Sequence, residues 1–247
     1  MQPSTLANTV AVILAGGLGT RIRHLHPDVP KPMIPVAGRP FLEWVLHFLR
    51  RQGIGTAVIS SGHLAEVVER HFAAHPVPGL TVQCVAEPTP LGTGGGLLHA
   101  VATSGLKPES WLVLNGDSMV FADLPLAAKP LATPAVQGVV VGVAMDDASR
   151  YGTLRFDAEG RLQSFEEKRP GAGVINAGIY FFKAPVVARF PAARPLSFEK
   201  DVFPRLLADG IRLDVSATTA PFLDIGTPES LAQAGEFIRA NEKALTG

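Results

Sequence analysis

"VILAGGLGTRIRHLHPDVPKPMIPVAGRP", residues 12–40, opens as an apolar run and breaks at paired glycines. Residues 10–15, VAVILA, read as a strand buried on both faces, as in a parallel sheet. Gly16, Gly17 and Gly19 follow, then Thr20, Arg21, Arg23 and Lys31, and a helix is expected only from Pro40. Glycines after a strand mark a sharp turn or a close approach of the backbone. Amides turned into a concavity bind phosphate oxygens. Arginine adds a forked contact and lysine a compact charge. The loop therefore reads as a polyphosphate cradle, with a plain structural turn as the alternative. It is not a dinucleotide fingerprint: the sixth position from Gly17 is Ile22, and the next strand ends VISSGH without an acid for a ribose. No GxxxxGK[ST] run exists. Arg23 and His24 read as solvated bystanders. His24 and His26 lack a cysteine or carboxylate at ligand spacing, which argues against a metal role.

Outward from this stretch, residues 40–52 read as an amphipathic helix, with Pro40 in its first turn, Phe41, Val45, Phe48 and Leu49 on one face, and Gly53 as its stop. Strands are expected at residues 56–60, 80–86 and 111–115, and helices at residues 63–72 and 94–103. Such alternation predicts a doubly wound α/β sheet. The second half turns strand-rich, at residues 136–145, 151–157, 161–168 and 174–182, with a hairpin turn at DAEG, residues 157–160. A helix is expected within residues 197–210, stopped by Gly210, and another over residues 228–244 behind an N-cap-like Thr227. No repeat or linker stands out, so the expectation is a single domain over residues 1–247. Its first half, to about residue 135, would bind the nucleotide, and the remainder would serve as a sugar-binding lid.

The chain has 247 residues, 47% apolar and 18% charged, which suits a large core and argues against disorder. Lysine plus arginine equals aspartate plus glutamate at 22 each, so no global field draws in nucleic acid or membrane, and an anion site must be local. The lone Cys84 precludes an internal disulfide and fits a reducing compartment. MQPSTLANTV has no basic n-region, and no apolar run approaches the roughly 18 residues of a bilayer span. The expectation is a cytoplasmic protein with no nucleic-acid or membrane partner. A homo-oligomer is left open.

LAGGLGTRIRHLHPDVPKPMIPVAGRP resembles the signature of the sugar-1-phosphate nucleotidyltransferases, GGxGTR followed by KP. The resemblance continues, in order, at PLGTGGGLLHA, LVLNGDS, EEK, INAGIY and FLDIGTPESL, and so covers nearly the whole chain. RYGTLRFDAEGRLQSFEEK, INAGIYFF and SFEKDVFPRLL are most similar to the D-glycero-D-manno-heptose 1-phosphate guanylyltransferases, with mannose-1-phosphate guanylyltransferases as near neighbours. The resemblance implies a Rossmann-like mixed, mainly parallel sheet with helices on both faces. It also implies a divalent metal, Mg²⁺, and attack of a sugar 1-phosphate oxygen on the α-phosphorus of GTP with release of pyrophosphate. The wider pathway it suggests is surface polysaccharide synthesis.

Each motif then receives a role by resemblance. Leu14, Ala15, Gly16, Gly17, Gly19, Thr20, Glu87, Gly92 and Thr93 would bind the nucleotide. Lys31 would touch the α-phosphate and Arg21 the leaving group. Asp117, at the carboxyl end of an apolar strand, and Asp224, in FLDIG, would hold the metal. For either aspartate alone, a turn or helix cap is the plain reading. Asn115, Tyr151, Gly152, Glu166, Lys168 and Asn176 would bind the sugar phosphate, with Glu199 and Asp201 as weaker candidates. Lys168 lies among Glu166, Glu167 and Arg169, where a solvated charge is the alternative. Because the nucleophile is already an anion, catalysis needs alignment and charge stabilisation rather than a strong base.

Glu87 carries the expectation of GTP. Guanine offers adjacent N1–H and 2-amino donors, which a carboxylate accepts together and an amide cannot. Uridylyl- and thymidylyl-transferring relatives often carry Gln at the matching place. A capping carboxylate is the alternative for Glu87. A non-catalytic nucleotide-binding protein on the same fold is disfavoured, since Arg21, Lys31, Asp117 and Asp224 are all present. Cys84 and His63 read as structural.

Overall fold

The computed structural model describes residues 6–245 apart from residues 18, 23, 25, 167 and 169. The readings of Arg23, Glu167, Arg169 and the opening MQPST therefore lie outside the described residues. The first half runs β1 (Thr9–Ala15), β2 (Pro35–Val36), β3 (Arg39–Pro40), α1 (Phe41–Arg51), β4 (Thr56–Ser61), α2 (Ala65–Ala74), β5 (Thr81–Ala86), α3 (Gly92–Ser104), β6 (Ser110–Asn115), β7 (Ser118–Val120) and α4 (Leu124–Ala127). The second half runs β8 (Val136–Met145), β9 (Thr153–Phe156), β10 (Leu162–Glu166), β11 (Gly173–Lys183), α5 (Ala184–Val187), a π-helical turn (Phe198–Val202), α6 (Phe203–Ala208), β12 (Arg212–Thr218), β13 (Phe222–Asp224) and α7 (Pro228–Ala240).

The central sheet is mixed and mainly parallel. β5, β4, β1 and β6 run parallel in that spatial order. β1 lies inside the sheet, so its alternate side chains feed opposite cores. Ala11, Ile13 and Ala15 pack with α1 on one face, and Val10 and Val12 pack with α3 and α6 on the other. β6 alternates likewise, with Leu112 and Leu114 on the first face and Trp111 and Val113 on the second. Buried Glu43 on α1 is bonded to Arg39 (2.6 Å) and to His71 of α2 (3.0 Å). Burial alone would raise its carboxyl, but these partners outweigh burial and hold it below the ordinary range.

Expected as a lid, the second half instead extends the sheet. β11 pairs antiparallel with β6 on one side and with β8 on the other, and β12 adds parallel to β8. The helix expected in residues 197–210 begins as the π turn, and the carboxyl-terminal helix ends at Ala240, followed by a 3₁₀ turn over Glu242–Ala244. Thr227 is its N-cap, in a capping box with Ser230. Burial, with Glu69 adding, pushes the Cys84 thiol up to about 11, which keeps it an inert thiol.

One irregularity shapes the site. The β11–β8 register shifts between Asn176 and Ile179, with Gly178 at φ +71°. A Cβ there would stand 2.4 Å from Asn115 Nδ2. Gly178→Ala is therefore expected to cost about 1–3 kcal/mol, from strained backbone and collision together. A denaturant midpoint equal to the parent's would show that Asn115 yields freely.

Candidate functional site

The glycine loop lies where ligands of open α/β sheets gather, at the carboxyl ends of the strands. β1 ends there at Ala15 and its neighbour β6 at Asn115. A cavity of about 400 Å³ opens at this edge. Its lining includes Leu14, Ala15, Gly16, Gly17, Gly19, Thr20, Arg21, Lys31, Glu87, Gly92, Thr93, Asn115 and Asp117. Every nucleotide and charge-stabilising residue expected from the sequence, with Asn115, thus shares one concavity. Pro32, Pro90, Leu91 and Gly226 complete it and were not foreseen. Their signal lay in plain view, since each falls inside one of the quoted motifs.

Close approach explains Gly16, Gly62 and Gly92, whereas a Cβ on Gly17 would meet open space. A Cβ on Gly16 would fall 2.4 Å from Glu87 Oε1, and one on Gly62 would fall 2.6 Å from the Gly16 carbonyl oxygen. Gly92 has φ +76°, and a Cβ there would meet the Leu196 carbonyl oxygen at 2.5 Å. That carbonyl accepts the Gly94 amide (2.8 Å), while the Thr93 hydroxyl accepts the Phe198 amide (2.9 Å). Thr93 thus ties the amino end of α3 to the π turn.

Glu87 is held rather than loose. Its Oε1 accepts from the Ser60 hydroxyl at 2.9 Å and its Oε2 from the Leu91 amide at 3.2 Å. The capping role and the base-reading role are compatible, because a carboxylate retains further lone pairs. Ser60, at the buried end of β4, was read only as strand.

Lys31 Nζ lies 2.5 Å from Asp117 Oδ2, with the lysine side chain 11% exposed and the aspartate 39%. Asp117 and Asp224 meet through a short ladder: β13 pairs antiparallel with β7, setting Asp224 opposite Ser118, and the Ile225 amide donates to the Asp117 carbonyl (2.9 Å). Asp224 Oδ1 accepts the Gly226 amide at 2.8 Å. Its Oδ2 accepts the Tyr151 hydroxyl and lies 3.5 Å from Arg150 Nη2. Burial first, and Asp224 second, push the Tyr151 hydroxyl above its ordinary range, so it remains a donor. Arg150 was missed, although it precedes Tyr151 and its guanidinium lies over that ring. A Cβ on Gly226 would stand 2.5 Å from Asp224 Oδ1 and 3.4 Å from Lys31 Nζ, so a glycine here leaves room for both groups. An all-oxygen anionic pair beside a point cation has the donor chemistry of a magnesium site. Among the described residues no three His, Cys, Asp or Glu side chains gather at metal-holding distances, so phosphate oxygens and water would supply the other ligands.

The remaining sugar-side residues lie outside the lining of that cavity. The Asn176 backbone amide donates to the Gly152 carbonyl (3.1 Å), and Thr153 pairs with both Ile175 and Glu166, so Gly152, just before β9, gathers with Glu166 of β10 and Asn176 of β11. Glu166 pairs with Arg155 at 3.6 Å, and Lys168 is exposed just beyond β10.

Comparison with known proteins identifies the family. The profile of the nucleotidyl transferase family matches residues 10–241. Mannose-1-phosphate guanylyltransferase of Mycobacterium tuberculosis is 35% identical over 96% of this chain, which spans 65% of that protein's length. D-glycero-alpha-D-manno-heptose 1-phosphate guanylyltransferase of Campylobacter jejuni is 34% identical over 89% of this chain and 95% of its own. Among solved structures, HddC from Yersinia pseudotuberculosis complexed with GMP-PN superposes with a TM-score of 0.79 at 32% identity, covering 92% of this chain and 98% of that one.

Proposed function

The chain belongs to the nucleotidyl transferase family, and on that premise we propose that it transfers a guanylyl group from GTP to a sugar 1-phosphate, releasing pyrophosphate. The sugar we assign is D-glycero-alpha-D-manno-heptose 1-phosphate. One observation carries the reading: the glycine loop, Arg21, Lys31, Asp117 and Glu87 line the same cavity of about 400 Å³. The heptose enzyme of Campylobacter jejuni, matched over 95% of its length, supports the choice of sugar. Mannose 1-phosphate is the second reading, supported by the relative at 35% identity.

In this reading the amides of Gly16, Gly17 and Gly19 cradle the triphosphate. Lys31 neutralises charge at the α-phosphate and Arg21 at the departing pyrophosphate. Asp117 and Asp224 would hold Mg²⁺, which when bound screens phosphate charge and organises the reacting oxygens. Lys168 would meet the sugar's phosphate, and Tyr151, Gly152 and Glu166 would face its hydroxyls. Residues 1–247 act as one nucleotidyltransferase domain. No described helix is long and apolar enough to cross a membrane. A single cysteine supports work in a reducing cytoplasm, and the product would feed surface polysaccharide synthesis.

The test is purified protein with Mg²⁺, four nucleoside triphosphates and several sugar 1-phosphates, read by pyrophosphate release. GTP with the heptose 1-phosphate is expected to give the highest kcat/KM. Mannose lacks the extra hydroxymethylene carbon and leaves its partner unpaired, which lowers efficiency the more deeply that partner is buried. Equal or better efficiency with mannose 1-phosphate would overturn the heptose assignment and spare the enzyme class. No pyrophosphate from any pair would overturn the class itself.

A further inference from the structure

We infer that His63, read from the sequence as structural, is a positioning residue for the glycine loop: its Nε2–H holds a backbone carbonyl of the loop and so turns loop amides toward the triphosphate. This rests on the guanylyltransferase reading above. His63 lies in the turn between β4 and α2, outside the lining of the cavity of about 400 Å³. Its Nε2 is buried, and among the described residues that nitrogen has no hydrogen-bond partner. A buried nitrogen left unpaired is costly and calls for an explanation. His63 shares the lining of a second, smaller cavity of about 10 Å³ with Gly17, Gly19 and Lys31. Those three residues also line the large cavity, so the loop is the wall between the two spaces and His63 stands behind it. The small space holds at most about one water, which makes it a gap across the back of the loop and not a ligand site.

The loop is confined on either side of this gap and has room within it. Gly16 is held between Glu87 and Gly62, and a Cβ on Gly19 would stand 3.0 Å from the Lys31 Cβ. The Gly19 carbonyl is already bonded to the Ile22 amide at 3.1 Å. A Cβ on Gly17 would meet nothing within 4 Å, so the peptide units beside it have space to turn. In a trans peptide unit the carbonyl and the N–H point in opposite directions. A donor behind the loop that captures a carbonyl therefore sends the amide of the same unit forward, into the cavity. Amides turned that way bind phosphate oxygens. The backbone that delivers His63 is itself strained. The next residue, Leu64, has φ +58° and ψ +39°, and as N-cap of α2 it makes no side-chain capping bond to offset that conformation. The Gly62 carbonyl accepts the Ala65 amide at 3.2 Å, closing the turn that carries His63. Left-handed backbone outside glycine clusters at functional sites.

The experiment compares wild type with His63→Phe, His63→Gln and, as a neighbour control, the exposed Glu66→Ala, using GTP, Mg²⁺ and the sugar 1-phosphate that wild type uses best. His63→Phe keeps a ring and removes the donor. It is expected to lower kcat/KM for GTP by about 10-fold, as for one lost hydrogen bond, and to leave the KM for the sugar 1-phosphate at the parental value. Its melting temperature without nucleotide should equal or exceed the parent's, because an unpaired buried nitrogen is gone. Saturating GTP should raise the melting temperature of wild type more than that of His63→Phe. His63→Gln, whose amide still donates, should recover most of the GTP efficiency. Glu66→Ala should match wild type. If wild type is active and His63→Phe keeps the parental kcat/KM for GTP, or loses efficiency toward both substrates together with melting temperature, His63 is structural. The inference then fails and the enzyme class stands. His63→Gln as impaired as His63→Phe overturns it equally, since a donor is then not what matters. If wild type transfers guanylate to no sugar 1-phosphate, the class fails and the inference goes with it.

Discussion

Asp117→Asn is expected to lower turnover by about 100- to 1,000-fold while leaving the protein folded. The argument begins with charge. Asp117 lines the cavity, and the β7–β13 ladder brings Asp224, which lies outside that lining, beside it. A neutral amide is a poor ligand for Mg²⁺. It also removes the counter-charge of Lys31, whose Nζ lies 2.5 Å from Asp117 Oδ2. Loss of that pair has a modest effect on stability, because the Asp117 side chain is 39% exposed and water screens it. The two effects separate by measurement. Thermal melts report the lost ion pair, and turnover as a function of Mg²⁺ concentration reports the lost ligand. Asp224→Asn should behave similarly, though its amide can still accept the Tyr151 hydroxyl. Either variant that is folded and keeps near-parental activity at limiting Mg²⁺ is not altered at a ligand.

What was legible in the sequence followed from periodicity and backbone chemistry. VAVILA announced a strand buried on both faces, and alternate residues do feed the two cores. The glycines announced close approach, and Gly16 and Gly92 are indeed places where a side chain would collide. Less visible were elements whose residues carry no apolar period. β12, RLDVSAT, alternates weakly and is a strand because β8 offers it a parallel ladder. β7 and β13 are three residues each and pair only because distant parts of the chain meet. Their pairing nevertheless brings Asp117 and Asp224 together. Sequence reading also assigned Asn176 to the sugar directly. A sequence shows that an amide exists, but not that its side chain is bonded to Tyr180, Glu199 and the Gly178 amide. The π turn was hidden for a similar reason, since a single widened turn leaves the apolar spacing of a helix almost intact.

The other large effect is expected at Glu87. Wild type should use GTP well ahead of UTP and dTTP, since the carboxylate would meet guanine's two donors but would face uracil O4, another acceptor. The lost pairing alone is worth ~1–3 kcal/mol. Glu87→Gln should lower GTP efficiency by about 10- to 100-fold, at about 1.4 kcal/mol per decade. Its fold should survive. Glutamine can turn its oxygen to the Leu91 amide and its nitrogen to the Ser60 hydroxyl, the partners that hold the carboxylate at 3.2 and 2.9 Å. Ser60 then keeps an acceptor for its own proton in the Gly96 carbonyl at 3.3 Å. That arrangement fixes the amide with one donor and one acceptor, so relative use of UTP or dTTP should rise. Steady-state kcat/KM for the three nucleotides, at saturating sugar 1-phosphate, measures the change. Ser60→Ala, which removes one of the two bonds that steady Glu87, should weaken GTP preference less than Glu87→Gln does. If Glu87→Gln keeps the parental ratio of GTP to UTP, Glu87 serves only as the cap for Leu91. Base selection would then pass to the backbone around Gly92 and Thr93, whose close contact with Leu196 and Phe198 leaves it little freedom to adapt.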